Sequence, residues 1–289
     1  MSAHAAPTRR LTIADLTRKK GAGEPIVMVT AYDHPGARIV EEAGVDMVLV
    51  GDSAAMTVLG YDSTVPVTID EMLMLTKAVR RGLSRPLLVG DLPFGSYEAS
   101  DALALETAQR FVKEAGVDLV KIERGGTTVD RARALVNAGI PVVGHVGLTP
   151  QTATALGGFR AQGRTAEAAL AVIDDALALQ DAGVSLLVVE AVPSAVTAAL
   201  MPLLRVPVIG IGAGADADGQ VLVFHDLLGI YDGPAAAFVK RYAEVRAASV
   251  AGVAAYASEV RSGEYPAPEH GYGMPEAEVA RLQELLAER

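Results

Sequence analysis

Four acids close four short apolar runs of this chain. Asp52 follows Met47-Val48-Leu49-Val50-Gly51, Asp91 follows Leu87-Leu88-Val89-Gly90, Glu123 follows Leu119-Val120-Lys121-Ile122, and Glu190 follows Leu186-Leu187-Val188-Val189. Lys121 stands two residues before Glu123, so the period-two alternation of a strand puts both on one face. His145 closes a fifth run, Pro141-Val142-Val143-Gly144. A single carboxylate at a strand end often does no more than cap the next helix. Four of them converging with a Lys and a His bury negative charge at a cost that calls for a cation. Carboxylates without Cys, and with one candidate His, favour a hard ion such as Mg²⁺ over Zn²⁺. Such an ion leaves positions open for a bidentate 2-oxo acid and stabilises an enolate, while a nearby carboxylate removes the α-side proton. These residue types therefore point to metal-assisted carbon–carbon chemistry on a small keto acid.

A recurring word positions these acids. Glu42-Ala43-Gly44-Val45-Asp46, Glu114-Ala115-Gly116-Val117-Asp118 and Asp181-Ala182-Gly183-Val184-Ser185 each precede one of the runs, and Asn137-Ala138-Gly139-Ile140-Pro141 is a looser copy. Each reads as a helix stopped by Gly, a tight turn and a strand apolar enough to be buried on both faces. Strands are expected near 26–30, 47–52, 87–91, 118–123, 141–146, 185–190, 207–211 and 220–225, with helical periodicity over 99–115 and 167–182. Eight apolar strands with intervening helices predict a single (β/α)₈ barrel, with the acids at the carboxyl ends where barrel active sites lie. A doubly wound open sheet is the rival architecture, because Gly-rich sequence blurs the interval before the last strand. The whole chain, 1–289, reads as one barrel domain with a flexible tail at 1–8, a long helix over 235–262 and a charged extension at 273–289 holding a short helix from 275. The segment 56–67 is long for a βα loop and reads either as a lid or as a surface excursion. Gly210-Ile211-Gly212-Ala213-Gly214 lacks dinucleotide-loop spacing and suits close backbone packing or a substrate loop, and His34, His225 and His270 read as structural.

Composition narrows the function classes. The 289 residues carry a net charge of −10, 51% apolar residues, 4% aromatics and no Cys or Trp. The apolar content fills a large core and excludes wholesale disorder. Absence of Cys excludes disulfides, zinc–thiolate sites, iron–sulfur clusters and a thiol nucleophile. The acidic balance argues against nucleic acid and anionic membrane partners, which need a basic footprint. Residues 1–10 have no apolar signal region, and Pro141, Pro150 and several Gly interrupt the uncharged stretch 135–159, so a cytoplasmic enzyme with no membrane span is expected.

A set of longer words carries a family resemblance. Thr30-Ala31-Tyr32-Asp33, Val50-Gly51-Asp52-Ser53, Gly60-Tyr61-Asp62-Ser63-Thr64-Val65-Pro66, Asp91-Leu92-Pro93-Phe94-Gly95-Ser96-Tyr97, Lys121-Ile122-Glu123 and His145-Val146-Gly147-Leu148-Thr149-Pro150-Gln151 come in order, followed by Leu156-Gly157-Gly158-Phe159, Glu190-Ala191-Val192-Pro193, the 210–214 loop and Asp218-Gly219-Gln220-Val221-Leu222-Val223. Over residues 9–272 the chain resembles the ketopantoate hydroxymethyltransferases. The resemblance implies a barrel of the phosphoenolpyruvate mutase/isocitrate lyase type. It also implies transfer of a hydroxymethyl group from 5,10-methylenetetrahydrofolate to 3-methyl-2-oxobutanoate, forming ketopantoate for pantothenate and coenzyme A synthesis through a Mg²⁺-stabilised enolate. Asp52, Asp91 and Glu123 then correspond to Mg²⁺ ligands, and Asp52, Ser53, Asp91 and Lys121 to keto-acid contacts. Glu190 corresponds to the general base, and His145 to a contact with substrate or the folate-derived fragment. Bacterial members are typically homodecamers of paired pentamers, which implies a homo-oligomer here. Two alternatives stay open: Lys121 as a Schiff-base nucleophile on the same barrel, and a metal-stabilised barrel that only binds.

Overall fold

The computed structural model describes residues 9–234 and 236–289; the tail expected at 1–8 lies outside them. Strands β1 (Ile26–Thr30), β2 (Met47–Val50), β3 (Leu87–Asp91), β4 (Leu119–Glu123), β5 (Val142–Gly147), β6 (Leu186–Glu190), β7 (Val208–Ile211) and β8 (Gly219–Leu222) are all parallel. Each pairs with the next in sequence, and β8 returns to β1, which closes the barrel and excludes the open sheet. The barrel expected from the repeated apolar runs is therefore the fold observed.

Alternation along the strands divides the core in two. Met28, Met47, Leu49, Leu87, Val89, Leu119, Val143, Leu186, Val188, Ile209, Ile211 and Val221 pack together inside the barrel. The residues between them, such as Val48, Leu88, Val120, Val142, Leu187 and Val208, pack outward against the helices. Near-continuous apolar runs are what burial on both faces requires.

The repeated Gly-Val-Asp word has a mechanical basis. Gly44, Gly116 and Gly183 sit at φ of 79°, 67° and 95°, a left-handed conformation that ends a helix without the Cβ clash other residues meet. In the first two copies the Asp that follows ties the amino end of its strand to a neighbour; the third has Ser185 in its place. Asp46 accepts the Val27 N–H at 3.0 Å and pairs with Lys19 at 2.9 Å, and Asp118 accepts the Leu88 N–H at 2.9 Å. These acids thus hold the barrel's lower rim, opposite the end that carries the acids Asp52, Asp91, Glu123 and Glu190.

Gly90 faces outward from β3, where an added Cβ would lie 2.6 Å from a Phe111 ring carbon and 3.0 Å from Val117 Cγ1. Gly90→Val should cost about 1–3 kcal/mol through overpacking and lower the midpoint of calorimetric unfolding by several degrees. An unchanged midpoint would contradict this packing.

Three expectations need correcting. No helix joins β7 to β8: the link is the loop 212–218, short and Gly-rich, which is why helical periodicity fades there. The last strand ends at Leu222, and His225 stands in the short helix Phe224–Leu227 beyond it. The long helix expected over 235–262 runs Val245–Ser262; residue 235 lies outside the described residues, and 236–244 form a loop. The terminal helix Glu276–Ala287 lies in the charged extension, as expected. Among the described residues no helix is long and apolar enough to cross a membrane.

Candidate active site

The seven residues singled out by type and spacing line one cavity of about 100 Å³ at the carboxyl ends of the strands: Asp52, Ser53, Asp91, Lys121, Glu123, His145 and Glu190. Asp91 ends β3, Lys121 and Glu123 share the inner face of β4, His145 lies on β5 and Glu190 ends β6. Asp52 and Ser53 follow β2 in the turn that opens the helix Ala54–Thr57. A wider opening of about 670 Å³ lies at the other end of the barrel, around Ile26, Asp218 and Gly219, away from these groups.

Lys121 is the hub. Its ammonium donates to both oxygens of Asp91 at 2.8 and 2.9 Å and to Glu123 Oε1 at 2.7 Å. His145 Nδ1 lies 3.0 Å from the same Glu123 oxygen, while the Gln151 N–H donates to Glu123 Oε2 at 3.1 Å. His145 Nε2 is 3.2 Å from Glu190 Oε2, within ion-pair range but out of hydrogen-bond alignment. Asp91, Lys121, Glu123 and His145 are all fully or almost fully buried.

The surroundings move each protonation equilibrium. Burial disfavours the Lys121 ammonium, but Asp91, Glu123 and Asp52 outweigh it and hold the pKa well above the ordinary lysine value. Burial also raises the Glu123 carboxyl, yet Lys121 and His145 bring it down to about 2. Burial works against the His145 imidazolium, and the facing Glu123 more than offsets this, raising its pKa to about 9. Asp52 is pushed well above the usual carboxylate range, first by burial and then by the charges of Asp91 and Glu123. Asp91 is raised as well, burial first, and buried carboxyls driven towards their neutral forms mark a place short of positive charge.

A divalent cation suits that shortage. Asp52, Asp91 and Glu123 each offer an oxygen within 4.8 Å of the others, and Asp52 Oδ2 is buried with no hydrogen-bond partner. All-oxygen ligands without sulfur match a hard ion such as Mg²⁺.

Two further side chains brace Glu123. Tyr97 OH donates to Gln151 Oε1 at 2.6 Å and accepts the Glu123 N–H at 3.1 Å, and Gln151 Nε2 donates to the Leu92 carbonyl at 2.9 Å. The phenol is buried, which pushes its pKa well up and keeps it a neutral donor. Tyr32 does the same for Ser53, their hydroxyls 2.8 Å apart. Strand-end logic does not find Tyr97, Gln151 or Tyr32, which lie on loops; their only sequence signal is that they fall within the longer words. Aliphatic side chains also line the cavity: Leu49, Val188, Ile211, Val221 and Val223. Gly212 and Gly214 serve close packing, against the Phe238 ring and Ser194. His34 and His270 are exposed, and His225 packs on the Tyr32 ring with centroids 5.3 Å apart.

The eight-stranded parallel barrel is a fold this chain shares with solved enzymes, one of them a member of the phosphoenolpyruvate mutase/isocitrate lyase superfamily. Phosphonopyruvate hydrolase superposes with a TM-score of 0.60 at 13% identity over 96% of both chains. 2,3-Dimethylmalate lyase, a member of that superfamily, superposes with a TM-score of 0.56 at 16% identity over 94% of this chain and 98% of its own. At these identities the likeness is one of fold. Sequence is more specific: residues 10–268 match the profile of the ketopantoate hydroxymethyltransferases. The 3-methyl-2-oxobutanoate hydroxymethyltransferase of Oleidesulfovibrio alaskensis is 52% identical over 287 residues, 99% of either chain. The chain belongs to the ketopantoate hydroxymethyltransferase family and is a transferase.

Proposed function

We propose that this enzyme transfers a hydroxymethyl group from 5,10-methylenetetrahydrofolate to 3-methyl-2-oxobutanoate, making ketopantoate for pantothenate and coenzyme A synthesis, with residues 1–289 acting as one catalytic domain. The observation that carries the reading is a cavity lined by two kinds of side chain, cation-holding acids with Lys121 and His145, and aliphatic groups. A branched 2-oxo acid has a polar and an aliphatic half.

Asp52, Asp91 and Glu123 are the residues that would hold Mg²⁺, which when bound supplies Lewis-acid charge opposite the keto-acid oxygens. Ser53, fixed by Tyr32, and Asp91, fixed by Lys121, orient the acid. Glu190 takes the proton from carbon 3, and Lys121 offers positive charge to the enolate oxygen or the carboxylate. Carbon 3 then bonds to the methylene carbon of the opened donor, the donor's carbon–nitrogen bond breaks, and water supplies the hydroxyl. His145, between Glu123 and Glu190, touches the substrate or the incoming fragment. The Schiff-base alternative for Lys121 fares poorly, since a nucleophilic amine must be neutral and this one is held protonated by three carboxylates.

The reading includes a cytoplasmic homo-oligomer, a decamer by resemblance. It is supported by the apolar side chains that the helices Val245–Ser262 and Glu276–Ala287 leave exposed, Val253, Tyr256 and Leu286 among them. The test of function is turnover of the two substrates with and without Mg²⁺. Ketopantoate should form with the ion and fall to background after chelation; its absence in both conditions overturns the reading.

A further inference from the structure

The cavity is small, about 100 Å³. That suits the head of a small acid, but a donor with a fused pterin and a second ring must lie outside, with only its reactive carbon reaching in. Aromatics are 4% of residues; Tyr61, Tyr242, Tyr256, Tyr265 and Tyr272 are exposed, and of the five Phe, Phe111 and Phe224 are buried. The other three are exposed: Phe94 at 44% and Phe159 at 57% on the loops after β3 and β5, and Phe238 at 37% on the loop after the short helix Phe224–Leu227.

Two of them flank Glu190. Phe159 belongs to the loop after β5, which reaches the end of β6 through the Gln162 N–H donating to the Ala191 carbonyl at 2.9 Å. Gly157 and Gly158, both left-handed, have open space where a Cβ would stand, so this loop rises clear of the barrel just before Phe159. Phe238 comes from the loop between the helices Phe224–Leu227 and Val245–Ser262 and packs on Gly212, where any Cβ would collide with its ring. Gly212 adjoins Ile211, a cavity residue on β7. One ring therefore stands on the β5 side of Glu190 and the other on the β7 side, whereas Phe94 lies across the barrel on the loop after β3.

Charge accompanies both rings. Arg160 follows Phe159, Lys240 lies two residues beyond Phe238, and both are exposed in a protein of net charge −10. Among the described residues neither pairs with a carboxylate; Lys240 lies over the Tyr242 ring, 4.8 Å from its centroid. Aromatic faces bind flat heterocycles by stacking, and a neighbouring cation reads an anionic tail.

The geometry points to Phe159 and Phe238 as the binding surface for the flat heterocycle of the one-carbon donor, with Arg160 and Lys240 beside it for the donor's carboxylate tail. This rests on the function proposed above and locates its second substrate. Phe159→Ala and Phe238→Ala should each raise KM for methylenetetrahydrofolate about tenfold or more, as loss of a stacking partner does. KM for the keto acid, and the rate of carbon-3 proton exchange without donor, should move less than about twofold. Phe159→Tyr should restore the donor KM, and the double charge reversal Arg160→Glu/Lys240→Glu should weaken the donor more at low salt than at high. An unchanged donor KM, or exchange falling in step with turnover, would overturn the assignment; the second result would mean the rings serve folding or assembly. Calorimetric binding of tetrahydrofolate to the intact protein needs no turnover. Binding that depends on both Phe, without ketopantoate formation, would sink the proposed reaction and leave this surface standing.

Discussion

Glu190→Gln is expected to reduce carbon-3 proton exchange from 3-methyl-2-oxobutanoate by about 10²–10⁴-fold, the range for loss of a positioned base, and ketopantoate formation with it. The expectation comes from how Glu190 differs from its neighbours. Lys121 claims both oxygens of Asp91 and one of Glu123, and the Gln151 N–H occupies the other Glu123 oxygen. Asp52 is one of the three acids that would hold the cation. Among the described residues Glu190 accepts no hydrogen bond on its carboxylate; His145 Nε2 stands 3.2 Å away without alignment. Unlike Asp91 and Glu123 it has lone pairs to spare, and unlike Asp52 it is not among the acids that would hold the cation. The amide keeps the shape and cannot take a proton, so the upward shift of the melting midpoint by Mg²⁺ should match wild type while exchange is lost. Exchange at the wild-type rate, followed by proton NMR in deuterated water, would move the base to another residue.

How much of this was legible in the sequence depended on whether a residue's neighbours in space follow from its position on a strand. Asp91, Lys121, Glu123, His145 and Glu190 were legible because alternation fixes which side chains face inward, and barrel closure brings those positions together. The Gly-Val-Asp word announced its strands for a mechanical reason, the left-handed Gly and the Asp that grips the next strand. Before β8 the signal failed because there is no helix to give a period, and the run 212–218 follows packing against Phe238 and Ser194 instead. Tyr97 and Gln151 were hidden for another reason. They come from separate loops and meet only at Glu123, through bonds no local spacing encodes. The aliphatic lining was hidden in plain view: Val188, Ile211 and Val221 read in sequence like any barrel core, and only closure shows that this layer borders the cavity. Exposure of Phe159 and Phe238 is likewise a property of the folded surface alone.

Lys121→Met should destabilise the protein more than any other single change in the site. The methionine fills the space of the lysine stem, so the loss is electrostatic. Asp91 loses two hydrogen bonds and Glu123 one, and carboxylates that shared a buried positive charge face one another without it. Removing one partner of a buried ion cluster costs about 3–5 kcal/mol, a fall of about 10 °C in the unfolding midpoint for a chain of this size. Mg²⁺ distinguishes this account from a simple packing defect. An ion that binds the folded state at a hundred times its Kd adds about 2.7 kcal/mol, and in the variant it no longer meets the repulsion of a neighbouring ammonium. The rise in midpoint on adding Mg²⁺ should therefore be larger in Lys121→Met than in wild type, although ketopantoate formation stays low because nothing replaces the lysine's charge beside the substrate. A variant as stable as wild type without Mg²⁺, or one with no greater response to the ion, would mean that Lys121 does not balance the charge of Asp52, Asp91 and Glu123. The acids would then have to be held neutral by protons, and their fitness as cation ligands would need another basis.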